Sequence, residues 1–189
     1  IREELASLSH IRLAGEEIKG KAGIYDYDLS KLVFSVRGTS INGTQLSNRL
    51  RDRYHLEMEM ESAEYVLALT SVCDTEEGFR RLIQAMKEID AVLKECQVHG
   101  RNKIREIPEQ KMTIAKAMDA GKIRCALSLS PGKISGEFVY LYPPGIPVLV
   151  PGERITFECV GKIFAWREEG LHVQGMSDYS GQSICVVEE

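Results

Sequence analysis

Four of the chain's six prolines fall within residues 132–153, in a run of apolar and aromatic residues that would otherwise read as buried strand. Each proline fixes φ and deletes a backbone donor. The stretch Tyr142-Pro143-Pro144-Gly145-Ile146-Pro147 therefore excludes a helix and the interior of a sheet, and leaves an extended, bent course. Two readings follow from that rigidity. One is a connector that turns the chain between a strand and a helix starting near Glu153; the other is a fixed wall that presents side chains to a ligand.

The surrounding residues carry a longer pattern. Gly132-Lys133-Ile134-Ser135, then Glu137, then Tyr142 to Pro147, then Pro151-Gly152-Glu153 occur in that order within about twenty residues. This set resembles the C-terminal region of the pyridoxal-phosphate-dependent ornithine/lysine/arginine decarboxylases of aspartate-aminotransferase fold type, with Gly136 in place of the family's usual alanine. The run Tyr25 to Val36 is similar to the family's entry into its small domain, the helix-like Gln45 to Tyr54 follows in family order, and Gln174-Gly175-Met176-Ser177-Asp178 is also family-like. Residues 1–24 carry no motif.

The resemblance implies α-decarboxylation of a basic amino acid on pyridoxal phosphate, in a fold-type-I enzyme that is a homodimer when intact. It also implies that the cofactor belongs to a large domain not represented here, because the family's cofactor lysine follows a histidine directly. The four histidines of this chain are followed by Ile11, Leu56, Gly100 and Val173. A length of 189 residues suits one or two modest domains and not a complete enzyme of this type. The expectation is a C-terminal piece, inactive alone, whose partners are the large domain and the substrate. It would supply part of the substrate-cleft wall and dimer contacts.

Basic substrates need a carboxylate acceptor at a set distance from the cofactor. Glu137, inside the matched motif, is the first candidate, with an ion pair to Lys133 or Arg154 as the structural reading of the same residue. Tyr142 is the second, as a hydroxyl-bearing wall of the entrance, and Pro143 and Pro144 complete the candidate cleft. No catalytic or cofactor-binding residue is expected in this chain. His10 and His172 lack a recognisable partner and read as structural; Arg37 faces either solvent or a substrate carboxylate.

Periodicity divides the chain into residues 1–28 as a connecting segment, 29–107 as a small β-α-β-β-α domain and 108–189 as a C-terminal α/β subdomain with the Pro-rich motif. The fold class is α/β in the α+β sense. Within it, Lys31–Val36 reads as a strand and the residues from Thr44 as a helix with Leu46, Leu50 and Tyr54 on one stripe. Leu56–Glu61 reads as an alternating strand and Tyr65–Thr70 as a more central one. Asp74-Thr-Glu-Glu77 resembles a capping box opening a helix to about Cys96. Further elements are a helix over 110–120, an extended run over 123–129, a helix over 154–167, and a terminal pair of strands over 171–176 and 183–187. The basic run His99–Arg105 reads as a solvated loop without aromatic platforms for nucleic acid.

A net charge of −4 gives no general attraction to nucleic acid or anionic membrane, and no apolar stretch approaches the length of a membrane span. The expected compartment is the cytoplasm. Five cysteines, 23 to 34 residues apart, form neither a metal knuckle nor a disulfide framework, so reduced thiols and no metal site are expected. The β-α-β-β-α order alone would equally suit a non-enzymatic ferredoxin-like module that binds amino acids or a protein partner. The Pro-rich motif is what favours the enzyme.

Overall fold

The computed structural model describes residues 1–97, 107–142 and 145–188. The chain divides into two compact units, Ile1–Gly100 and Arg101–Glu189, each with its own core. The basic run over 99–105 lies outside the described residues, as do Pro143 and Pro144.

The first unit opens with a short helix α1 (Arg2–Leu5) and strand β1 (Arg12–Leu13). It continues with β2 (Lys31–Ser35), helix α2 (Gly43–Tyr54), β3 (Met60–Glu61), β4 (Tyr65–Leu69) and helix α3 (Glu76–Asp90). The strands form one antiparallel sheet in the order β1-β2-β4-β3. Leu32 and Phe34 of β2 and Val66 and Ala68 of β4 point to the same face, where Leu46 and Leu50 of α2 and Leu82, Ala85, Met86 and Ile89 of α3 cover them. The β-α-β-β-α order thus forms, with β4 inside the sheet. The first thirteen residues, which carry no motif, nonetheless bury Leu5 and Ile11 in this core.

Helix α2 begins where Asn42 accepts the Gln45 N–H at 2.8 Å while the Gln45 side chain accepts the Asn42 N–H at 3.0 Å, a reciprocal capping box. Its far end differs from the expected immediate passage into a strand. His55 takes a left-handed conformation at φ 54°, and the Leu56 N–H reaches back to the Leu50 carbonyl at 3.0 Å. This closure uses up the first residues of the alternating run, so ladder pairing is confined to Met60–Glu61. Likewise α3 is capped by Thr75 instead of Asp74, the Thr75 hydroxyl accepting the Gly78 N–H at 3.1 Å. It stops at Asp90 and not Cys96, because the following residues leave for extended pairing: Thr39 bridges Glu95, and the Cys96 N–H donates to the Gly38 carbonyl at 2.9 Å.

The second unit comprises helix α4 (Ile114–Asp119), β5 (Lys122–Ala126), a 3-10 turn over Leu127–Leu129, β6 (Val139–Leu141), β7 (Ile146–Leu149), helix α5 (Phe157–Glu168), β8 (Val173–Gln174) and β9 (Ser183–Val187). Two antiparallel sheets result, β5-β9 and β7-β6-β8. Their shared core holds Leu127, Val139, Leu149, Ile155, Cys159, Ile163 and Ile184. Thr156 caps α5 through the Cys159 N–H at 3.1 Å, placing the start at Phe157. Helix α4 is shorter than the expected 110–120 because the N–H groups of Lys111 and Met112 are committed to the Gly152 carbonyl, at 2.8 and 3.3 Å.

One expectation fails outright. The last two strands do not pair with each other: β8 lies beside β6, and β9 beside β5. Gly175, at φ 96°, turns the chain between them, and the Cβ of any other residue there would lie 2.3 Å from the Phe138 carbonyl oxygen. Pro147 falls in β7, which is an edge strand and so tolerates it.

Candidate functional site

The motif's two halves are hydrogen-bonded to each other. Gly132 N–H donates to the Ile155 carbonyl, Ile155 N–H to Lys133, Ser135 N–H to Glu153 and Gly152 N–H to Ser135, all at 2.8 Å. On its other side the same strand-like segment meets β9, with Gly136 N–H to the Cys185 carbonyl and Val187 N–H to Ile134, both at 2.9 Å. The sixteen residues between Ser135 and Gly152 therefore leave and return to one ladder. Gly152, at φ 92°, lets the chain pass within 2.3 Å, by Cβ position, of the Met112 carbonyl oxygen, which no side chain would permit. Gly136 is less absolute: an added Cβ would sit 3.2 Å from the Cys185 oxygen and from the flexible Lys122 stem.

Glu137 lies at the centre of this scaffold and is buried, with 8% of its surface exposed. Its Oε2 accepts the Cys185 N–H at 2.8 Å, and its Oε1 accepts the Ser177 N–H at 2.9 Å together with the Ser177 hydroxyl. The Ser135 hydroxyl, itself buried, donates to the Glu137 carbonyl at 2.7 Å. Burial alone pushes the carboxyl up, yet the Cys185 N–H and the Ser177 hydroxyl and N–H outweigh it and hold the group below its ordinary value. The structural partners are thus Ser177 and Cys185. Neither Lys133 nor Arg154 pairs with it; Arg154 donates instead to the Gly132 carbonyl at 2.8 Å and lies 3.4 Å from Glu109.

Beyond this base, β6 and β7 form a hairpin whose tip carries Tyr142. The Gly145 N–H closes on the Leu141 carbonyl at 2.7 Å, and the Tyr142 N–H contacts the His172 carbonyl at 3.3 Å. Tyr142 is 57% exposed and Ile146 61%, so the tip offers an amphipathic surface on a stiff stalk. Glu137 and Tyr142 consequently play different physical parts: one is locked inside the base, the other open at the end.

His172 is exposed, and its carbonyl accepts the Tyr142 N–H at the hairpin. His10 belongs to the first unit, with Nδ1 3.8 Å from Asp90 Oδ2. Arg37 sits just past β2, its Nε 3.5 Å from Glu64. The cysteines form no disulfide, and no group of three or more metal-ligating side chains assembles, among the described residues. Among those residues, no helix is long and apolar enough to cross a membrane.

Two buried or turn-forming carboxylates escaped the sequence reading. Asp90 accepts the N–H groups of Ser9, His10 and Ile11 at 2.7, 2.8 and 2.7 Å. Burial pushes its carboxyl up, but these donors and nearby His10 hold it below the ordinary range. Its signal was available, since Asp90 falls four residues after Met86 on the apolar stripe of α3. Asp178 organises the turn before β9 by accepting the hydroxyls and N–H groups of Ser180 and Ser183, which hold its carboxyl well below the usual range. An aspartate followed by serines two and five positions on is the corresponding sequence cue.

A pyridoxal phosphate imine requires a lysine shielded from water so that its amine can lose its proton. Among the described residues the buried polar and charged set is Thr44, Ser47, Asp90, Ser130, Ser135 and Glu137, with no lysine. These residues do not fit that group.

Residues 94–167 match the family model described as Orn/Lys/Arg decarboxylase, C-terminal domain. The whole chain aligns with an arginine decarboxylase of Bacillus subtilis at 34% identity and with another of Bacillus anthracis at 32%. In each case it spans 39% of the relative's length. Among solved structures, a lysine decarboxylase of Francisella novicida superposes over 99% of this chain and 37% of its own, with a TM-score of 0.68 at 14% identity. The constitutive lysine decarboxylase of E. coli covers 85% of this chain and 32% of its own, with a TM-score of 0.63 at 16% identity. The first matches show similarity to the C-terminal region of the Orn/Lys/Arg decarboxylases, and the second show a shared fold.

Proposed function

We propose that this chain is the C-terminal part of a pyridoxal-phosphate-dependent decarboxylase of a basic amino acid, inactive by itself. The observation that carries the reading is the alignment of its full length with part of a relative named arginine decarboxylase. That name favours arginine among the three family substrates. The cofactor would be held by a large domain outside this sequence, consistent with the lack of any buried lysine among the described residues. When bound, pyridoxal phosphate accepts the electrons left by the broken Cα–carboxylate bond.

In this reading the chain's own residues shape the cleft and contribute to a homodimer. The Tyr142 hairpin tip forms part of the wall. Glu137 acts from the base, holding the Ser177 turn and β9 in register so that the hairpin keeps its direction. Three donors already occupy that buried carboxylate and leave little room for a substrate guanidinium, which favours a positioning role for Glu137 over direct contact.

Two measurements test the proposal. The 189-residue chain mixed with pyridoxal phosphate and reduced with borohydride should yield no stoichiometric pyridoxyl-lysine, whereas the full-length gene product should release carbon dioxide from arginine. A stoichiometric adduct on this chain overturns the first part, and a full-length product inert toward arginine, lysine and ornithine overturns the second.

A further inference from the structure

In the first unit, an open cleft of 530 Å³ lies where the turn before β1 meets the end of β2, lined among others by Ser9, His10, Arg12, Ser35 and Arg37. Arg12 stands opposite Ser35 in the β1–β2 register, and Arg37 follows two residues on, so both guanidinium groups border the same space. The Arg12 side chain makes no hydrogen bond or ion pair among the described residues. Arg37 has a buried Nε without a hydrogen bond and is ion-paired to Glu64 at 3.5 Å. His10 adds a third basic group. Its Nδ1 is buried beside Asp90 without a hydrogen bond, so the exposed part of the ring is the edge away from that carboxylate.

The counter-charges are few. Glu95 lines the cleft, Glu64 faces Arg37 from the β4 side, and the Asp90 carboxylate is occupied by three backbone N–H groups. Arg37 is shared with Glu64 and His10 with Asp90, and Glu95 lines the cleft itself, yet the Arg12 guanidinium has no acceptor and the Arg37 guanidinium makes no hydrogen bond among the described residues. Guanidinium forks match the oxygens of phosphate or carboxylate, and a phosphate supplies both the second charge and enough acceptors for three donors. The volume lies in the range of small-molecule sites and exceeds what a bare ion fills. We propose that this cleft binds a phosphate group, as inorganic phosphate or as the phosphate monoester of a small metabolite, through Arg12, Arg37 and His10. This site is separate from the decarboxylase reading, because it needs neither cofactor nor large domain.

The test is calorimetric titration of the 189-residue chain with inorganic phosphate and, separately, with glycerol 3-phosphate, at constant ionic strength. One saturable site per chain is expected; glycerol phosphate binding about tenfold tighter identifies a phosphorylated metabolite, and equal binding identifies the free ion. The double variant Arg12→Gln, Arg37→Gln should weaken binding at least about tenfold, since each charge-assisted bond is worth that or more. If that variant loses its circular dichroism, Arg12→Lys with Arg37→Lys decides instead: charge is kept but the fork is lost, and binding should weaken by roughly fivefold. Absence of a saturable site, or folded variants that bind like the parent, would overturn the proposal.

Discussion

Replacing Glu137 by glutamine tests the internal logic of the motif, because it preserves shape and removes only charge and one acceptor. The carboxylate receives the Cys185 N–H on Oε2 and the Ser177 N–H and hydroxyl on Oε1. An amide must turn its NH₂ toward one side. If it faces Cys185, one N–H is left against a donor; if it faces Ser177, the N–H there is stranded while the hydroxyl can rotate to accept. Either way one buried backbone donor is unsatisfied, at about 1–3 kcal/mol, and the surviving bonds lose their charge assistance. The expected loss at neutral pH is about 2–4 kcal/mol.

The pH dependence gives this prediction a second edge. Glu137's folded-state pKa lies below its ordinary value of 4.5, so its contribution is fully present above 4.5 and is lost as pH falls through the lower, folded value. The gap between parent and variant should be constant well above 4.5 and shrink as the pH falls below it. Urea unfolding followed by tryptophan fluorescence is well suited, since the chain's one tryptophan, Trp166, packs against the core of the second unit. A variant within about 0.5 kcal/mol of the parent, or a gap that fails to narrow in acid, would refute the reasoning.

Other expectations follow from the same geometry. Asp90→Asn keeps an acceptor for His10 and Ile11 but turns a donor toward the Ser9 N–H, and should cost about 1–3 kcal/mol with faster amide exchange across residues 9–11. Gly175→Ala combines a positive φ with a 2.3 Å approach to the Phe138 oxygen, and should lower the midpoint of unfolding by several degrees or prevent folding of the second unit; a variant with unchanged thermal unfolding contradicts the turn described.

The legible parts of this fold were those where one periodicity was unopposed. Leu46 and Leu50 on α2, and Leu82, Met86 and Ile89 on α3, were marked by helical spacing and are buried. Element ends were less legible, because they depend on partners distant in sequence: α3 gives way where Cys96 finds Gly38, and α4 starts late because Gly152 claims the two preceding N–H groups. The terminal strands were misjoined for the same reason, since alternation shows that a segment is extended and not which neighbour it takes. At the site, the resemblance singled out Glu137, but its partners were invisible. Ser177 and the Cys185 N–H lie 40 and 48 residues away, and a charged neighbour such as Lys133 is a more obvious guess than a backbone amide.

The ladder joining Ser135 to Gly152 and Glu153 makes the hairpin above it a closed module on a fixed stem. Doubling the length of a closed loop costs only about 0.6 kcal/mol. Changes in the length of the connection between β6 and β7 should therefore leave the base undisturbed, which makes the end of this hairpin a graftable cassette above an unchanged fold.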